Sequence, residues 1–217
     1  MIISFKHKYI FFAVPKTATH AMRIALRPQL HKMDWEQCTL FEKKYFPPKE
    51  FHKLNHGHIS YNQLSGYLLP ELLENYFKFA FVRNPYDRFV SACHFIYRKS
   101  DAMVNYPIET MKETINNKEK ISQAIFQPQY TFLINENGDI KMNYIGRFEN
   151  LTLDYEKVRK QLSLSTEKLS QRNKSSHRPY REYYDTALQE SVYEFYKKDF
   201  AYFDYRPLLG TALNDKI

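Results

Sequence analysis

The feature that most restricts how this chain can fold is a strand-to-helix handover written twice. Residues Tyr9–Val14 form a continuous apolar run that ends at Pro15. A short run with no polar alternation suits a strand of a parallel sheet, buried on both faces. From Thr17 the pattern changes: Ala21, Met22, Ala25 and Leu26 fall on one helical stripe, and Pro28 closes it because proline cannot continue the hydrogen-bond ladder. The same order returns at Phe77–Val82, a second strand, followed by Pro85 in the first turn of a helix that carries Phe89, Cys93 and Ile96. Strands alternating with helices imply an α/β fold of three layers, a central, mainly parallel sheet flanked by helices. With 217 residues, 43% of them hydrophobic and 17% aromatic, the chain can build one substantial core, so a single domain over 1–217 is expected and a disordered chain is excluded.

Elsewhere the patterns are more local. Asn135 to Asp139, with Gly138 inside, is a strong turn signal, and it predicts that Tyr130–Ile134 and Ile140–Ile145 pair as a hairpin. A helix is expected over Leu153–Leu162, followed by a basic polar stretch over Ser163–Arg181. Asp185 is a good N-cap for a last helix with Leu188, Val192, Phe195 and Tyr196 on one face. The segment from Pro47 and Pro48 to His58 reads as loop or short helix.

Thirty-two Lys and Arg against 24 Asp and Glu leave a formal charge of +8, which favours an anionic partner but does not choose between nucleotide, nucleic acid, acidic glycan and lipid. Only Cys38 and Cys93 are available for a disulfide, no leader pattern opens the sequence, and no apolar run approaches the ~20 residues a bilayer requires. The simplest expected location is a reducing cytoplasm.

Three clusters carry chemistry. Val14–His20 sits at the first handover, where backbone N–H groups and the helix dipole favour an anion. Lys16 adds a point charge and Thr17 and Thr19 add hydroxyls, while the paired glycines of a Walker A loop are missing. Alone, such a segment also fits an ordinary loop with a solvated lysine. At the second handover Arg83 leaves the strand end and Ser91 follows eight residues later, on the helix face away from Phe89, Cys93 and Ile96. A guanidinium fork with a hydroxyl suits a dianionic phosphate, and the alternative is a structural ion pair between Arg83 and Asp87. The third cluster is His56, Gly57 and His58, which can present an imidazole base to a hydroxyl. A satisfied structural histidine or a metal contact is the alternative, although neither cysteine lies close enough in sequence to complete a zinc set.

Together these segments resemble the carbohydrate sulfotransferases, the relatives of the heparan and chondroitin enzymes. Pro15, Lys16, Thr17 and Ala18 look like their 5′-phosphosulfate loop, and Lys78–Ser91 looks like their second signature, with the same arginine-to-serine spacing. The His-Gly-His stretch resembles the heparan 2-O-sulfotransferase branch, which implies that His58 is the base and that His56 substitutes for it or orients the acceptor. Tyr144–Leu151 and Tyr180–Asp185 also resemble the family, so the likeness runs from near Lys8 to about Tyr205. It implies a P-loop-NTPase-like fold and the donor PAPS (3′-phosphoadenosine 5′-phosphosulfate), used without a metal. That donor would be held by Lys16, Thr17, Ala18, Thr19, His20, Arg83, Ser91 and Lys174, with a saccharide hydroxyl as acceptor and no nucleic acid as partner. The sequence departs from the family at Thr19 and His20, where relatives usually carry Gly or Ser followed by Thr, and at Ala21, a frequent serine. His20 can still donate through a ring nitrogen. The rivals are a P-loop-type kinase, which needs a nucleoside triphosphate and Mg²⁺, and a non-catalytic polyanion-binding protein, favoured by the charge and the 18 tyrosines.

Overall fold

The structure is a computed structural model that describes residues 1–37, 46–54, 56–165, 169 and 178–208. Its strands are β1 (Ile2–Ser4), β2 (Tyr9–Phe12), β3 (Trp35–Glu36), β4 (Phe77–Val82) and β5 (Tyr144–Arg147). In chain order its helices are α1 (Thr19–Leu26), α2 (Tyr61–Ser65), α3 (Pro70–Asn75), α4 (Pro85–Ile96), α5 (Ala102–Asn105), α6 (Pro107–Asn116), α7 (Lys118–Ile121), α8 (Leu151–Gln161) and α9 (Thr186–Tyr202). No helix among the described residues is long and apolar enough to cross a membrane. The chain divides into two compact units, one formed by Met1–Val82 with Gln129–Lys174, the other by Arg83–Pro128 with Ser175–Ile217.

The first unit holds a five-stranded sheet of order β3-β1-β2-β4-β5. β2 pairs in parallel with β4, and β4 with β5, so the expected parallel centre is present. On the other side of β2 the pairing is antiparallel, since β1 runs antiparallel to both β2 and the edge strand β3. A short connection between β1 and β2 permits only an antiparallel partner, since a parallel one requires a long crossover. Asp34 fixes that connection by accepting hydrogen bonds from Ser4 Oγ (2.8 Å), Phe5 N (2.8 Å), Lys6 N (3.3 Å) and His31 N (3.0 Å).

Alternation along β2 explains why the strand is apolar throughout. Tyr9 and Phe11 turn to one face, where Phe11 stacks on Phe79 with ring centres 5.2 Å apart, and Met22, Ala25 and Leu26 of α1 and Tyr155 and Val158 of α8 complete that core. Phe12 turns to the other and meets Tyr61 of α2 at 6.1 Å. Each large side chain buried this way contributes about 1.5–3 kcal/mol. Gly146 on β5 is a packing requirement, because a Cβ there would overlap the Phe81 ring of β4.

Two expected elements are revised. Helix α1 begins at Thr19 rather than Thr17, because Ala18 ahead of it takes a left-handed conformation with φ 64°. The hairpin shrinks to its turn: Asn135 Oδ1 accepts from Asp139 N at 2.8 Å and Gly138 has φ 85°, but only Ile134 and Ile140 form a bridge. Gln129–Phe132 is a 3₁₀ turn, and Tyr144–Arg147 instead pairs with the edge that β4 offers.

In the second unit, Asn84 caps α4 by accepting from Tyr86 N and Asp87 N, with Pro85 in the first turn. Asp185 caps α9 through Leu188 N at 2.9 Å. Tyr86 packs on Tyr184 and Phe200, each with ring centres 5.1 Å apart, and Phe89 packs on Phe126 at 5.7 Å. Arg88, only 1% exposed, donates to the carbonyls of Ile125, Phe126 and Gln127 and lies 4.9 Å over the Tyr196 ring.

Candidate functional site

The first handover is built under strain. Between β2 and α1, Lys16 has φ 65° and Ala18 φ 64°, conformations that residues with a Cβ rarely adopt. Such outliers persist where the surroundings impose them, and they cluster at ligand clamps. Left-handed residues in a turn also face successive N–H groups to one side, which makes an anion-binding concavity. Ala18 is the N-cap of α1 and offers no side-chain cap, so no side chain there competes for the first N–H groups of the helix. Lys16 is half-buried, Thr19 begins α1 and His20 is exposed. Thr17 is 1% exposed, and its Oγ donates to the Val14 carbonyl at 3.0 Å. Its proton is therefore committed inside the turn, which leaves the Thr17 backbone N–H as its donor.

His58 lies beside the same turn. Its Nδ1 is 2.6 Å from the carbonyl oxygen of Ala13, the residue that follows β2. A carbonyl can only accept, so Nδ1 carries the proton and the lone pair sits on Nε2. Burial drives the pKa of His58 down to about 3, against the opposing effect of the Ala13 hydrogen bond, with the positive Met1 amino group, His56 and Arg23 pushing it lower. The imidazole is therefore neutral at pH 7. His56 Nδ1 accepts from the backbone N–H of His58 at 3.3 Å, and the two rings are 5.7 Å apart. Burial first, and then the Met1 amino group, also lower the pKa of His56.

Arg83 and Ser91 belong to the second unit. Arg83 is 4% exposed and grips Asp87 with two bonds, Nε to Oδ2 at 2.7 Å and Nη2 to Oδ1 at 2.8 Å. The ion pair weighed in the sequence is thus formed. Asp87 and Ser91 are four residues apart on α4, hence on one stripe, and the pair holds the guanidinium toward that stripe. Ser91 is 8% exposed, and its hydroxyl makes no hydrogen bond among the described residues. Lys174 lies outside the described residues.

The sequence did not single out the Ala13 carbonyl, Arg23 or Gln37, which surround the histidine loop. Main-chain groups carry no sequence signature, and Arg23 reads as one polar residue on a helix. The signal available was its position on the α1 stripe next to Met22.

Comparison with curated proteins and with solved structures gives no significant match. A model of the sulfotransferase family matches residues 1–206, a span that includes the strained turn, the histidine loop and the Arg83 segment. With nearly its whole length matched, the chain belongs to the sulfotransferase family, a family of transferase enzymes.

Proposed function

We propose that the protein is a single-domain enzyme of P-loop-like, three-layer architecture that moves a sulfuryl group from PAPS to a hydroxyl of a saccharide acceptor, in the cytoplasm. The observation that carries this reading is the Nδ1 bond of His58 to Ala13, which leaves the Nε2 lone pair unprotonated beside a strained anion-type turn. The residues of the turn suit the donor: left-handed backbone at Lys16 and Ala18, an uncapped α1 and the Lys16 ammonium all favour an oxygen-rich anion.

PAPS supplies the sulfuryl group. Lys16, Thr17, Ala18, Thr19 and His20 hold its 5′ end, and Arg83, set by Asp87, holds the 3′-phosphate with Ser91 and Lys174. His58 takes the proton of the acceptor hydroxyl on Nε2, and His56 orients the acceptor. A pKa near 3 keeps the ring unprotonated but makes it a weak base; negative charge brought close to it raises that value toward the working range. Lys16 places positive charge where the leaving side becomes negative. A sulfonate carries less charge than a terminal phosphate, so a lysine and backbone dipoles suffice for a task that kinases assign to Mg²⁺.

The test is thermal shift with PAP, ATP-Mg²⁺ and an oligonucleotide, followed by labelled donor and an acceptor panel. Stabilisation by PAP alone, with transfer lost in His58→Ala while PAP still binds, is expected. Stabilisation by ATP-Mg²⁺ favours the kinase, and salt-sensitive oligonucleotide binding without PAP affinity favours the polyanion binder.

A further inference from the structure

We infer that Arg23 is a positioning residue for His58, acting through the Gln37 carbonyl and the main chain of Gly57. Arg23 lies on α1 among apolar neighbours and is 9% exposed. Burying a guanidinium beside Met22, Ala25 and Leu26 is unfavourable unless its bonds are good. Here Nη2 donates to the Gln37 carbonyl at 2.6 Å, and Nε stands 3.7 Å from Glu36 Oε1. Arg27, one turn on, reaches both Glu36 oxygens at 3.0 Å, so this side of α1 is tied to β3 and the residue after it.

Gln37 is itself immobilised. Its backbone N–H donates to the Met1 carbonyl at 3.1 Å, and its Nε2 donates to the Phe51 carbonyl at 3.0 Å. Gly57 is packed against this fixed pair so closely that a Cβ would overlap both the Gln37 oxygen and Arg23 Nη2. On its other side the Gly57 carbonyl accepts from the Met1 amino group at 2.6 Å. The next residue is His58. Its ring is held by Ala13, and its backbone is held by the shelf that Arg23 and Gln37 make for Gly57. Removal of the Arg23 arm takes away part of the shelf against which Gly57 packs, and the Nε2 lone pair loses its fixed direction.

The effect on turnover rests on His58 being the base; the effect on the imidazole does not. The test therefore reads both, in the full-length chain. Histidine-selective ¹⁵N NMR reports the tautomer and titration of His58, whose charged neighbours are the Met1 amino group, His56 and Arg23. In the parent protein the Nδ1–H tautomer is expected to persist down to about pH 4. In Arg23→Met the tautomers mix, with Arg23→Lys between the two. The midpoint also rises in Arg23→Met through loss of the Arg23 charge alone, so the tautomer ratio is the readout of positioning. Gly57→Ala gives the same mixing with Arg23 in place. Turnover falls at least about tenfold in both while PAP affinity stays within about threefold, because alignment rather than donor binding is lost. If Arg23→Met does not fold, Arg23→Lys and Gly57→Ala carry the comparison. An unchanged tautomer ratio in the folded variants overturns the inference. A parent protein that neither binds PAP nor transfers sulfuryl overturns the proposed function instead, and the NMR comparison still decides the role of Arg23.

Discussion

His58 makes the fold sensitive to mild acid in a calculable way. Its pKa is about 3 in the folded chain against an ordinary 6.5, so between these values the unfolded chain binds a proton that the folded chain does not. Stability from this group is thus complete above about pH 6.5 and is lost as pH falls toward 3. At pH 5 the unfolded imidazole is almost fully protonated and the folded one almost fully neutral, which lowers the unfolding free energy by about 2 kcal/mol relative to pH 7.5. For a chain of this size that is a fall of about 4–8 °C in Tm. The control is His58→Asn, whose side-chain N–H can still bond Ala13 but cannot titrate. Denaturant titrations of both proteins at pH 7.5 and pH 5.0 should show the parent losing about 2 kcal/mol more than the variant. His56 is present in both and cancels. Equal losses would refute the assignment of a half-buried His58 held neutral.

Two further predictions concern stability. Asp185→Ala removes the α9 cap and should cost about 1 kcal/mol in chemical denaturation, whereas Asp185→Asn keeps most of it; the exposed ion pair of Asp185 with Lys112 adds little. Thr17→Val deletes the buried bond to the Val14 carbonyl, and denaturation should show a loss of about 1–3 kcal/mol together with weaker PAP binding by calorimetry; an unaltered PAP affinity would show that the hydroxyl does not shape the turn.

Local patterns were legible where one element decides them. Phe77–Val82 is β4 residue for residue, Pro85 opens α4, and Asp185 caps α9, because apolar runs, proline geometry and capping act over a few neighbours. Pairing was less legible. Ile2–Ser4 and Trp35–Glu36 are too short to show a period, and Tyr144–Arg147 followed the available edge of β4 rather than its near neighbour Tyr130–Ile134. The helices α5, α6 and α7 were not foreseen: α5 and α7 are too short to show a period, and α6 carries its stripe of Ile108, Met111 and Ile115 within only ten residues. At the site, the residue types were readable but their arrangement was not: the choice of Nε2 on His58 depends on a backbone carbonyl 45 positions away in sequence. The pair of Arg83 with Asp87 was readable as an alternative because opposite charges only four residues apart lie within reach of each other across the start of α4.

Arg88 carries a consequence for how the second unit opens. A guanidinium does not shed its proton, so this side chain has no neutral form in which to wait while its carbonyl partners leave. The loop at Ile125–Gln127, the start of α4 and the kink of α9 at Tyr196 are joined through it, and Tyr196 closes the circuit by donating to the Phe126 carbonyl at 2.7 Å. Fraying of any one strands a charge among aromatic rings, so hydrogen exchange in these three segments should proceed as one cooperative opening rather than three separate ones.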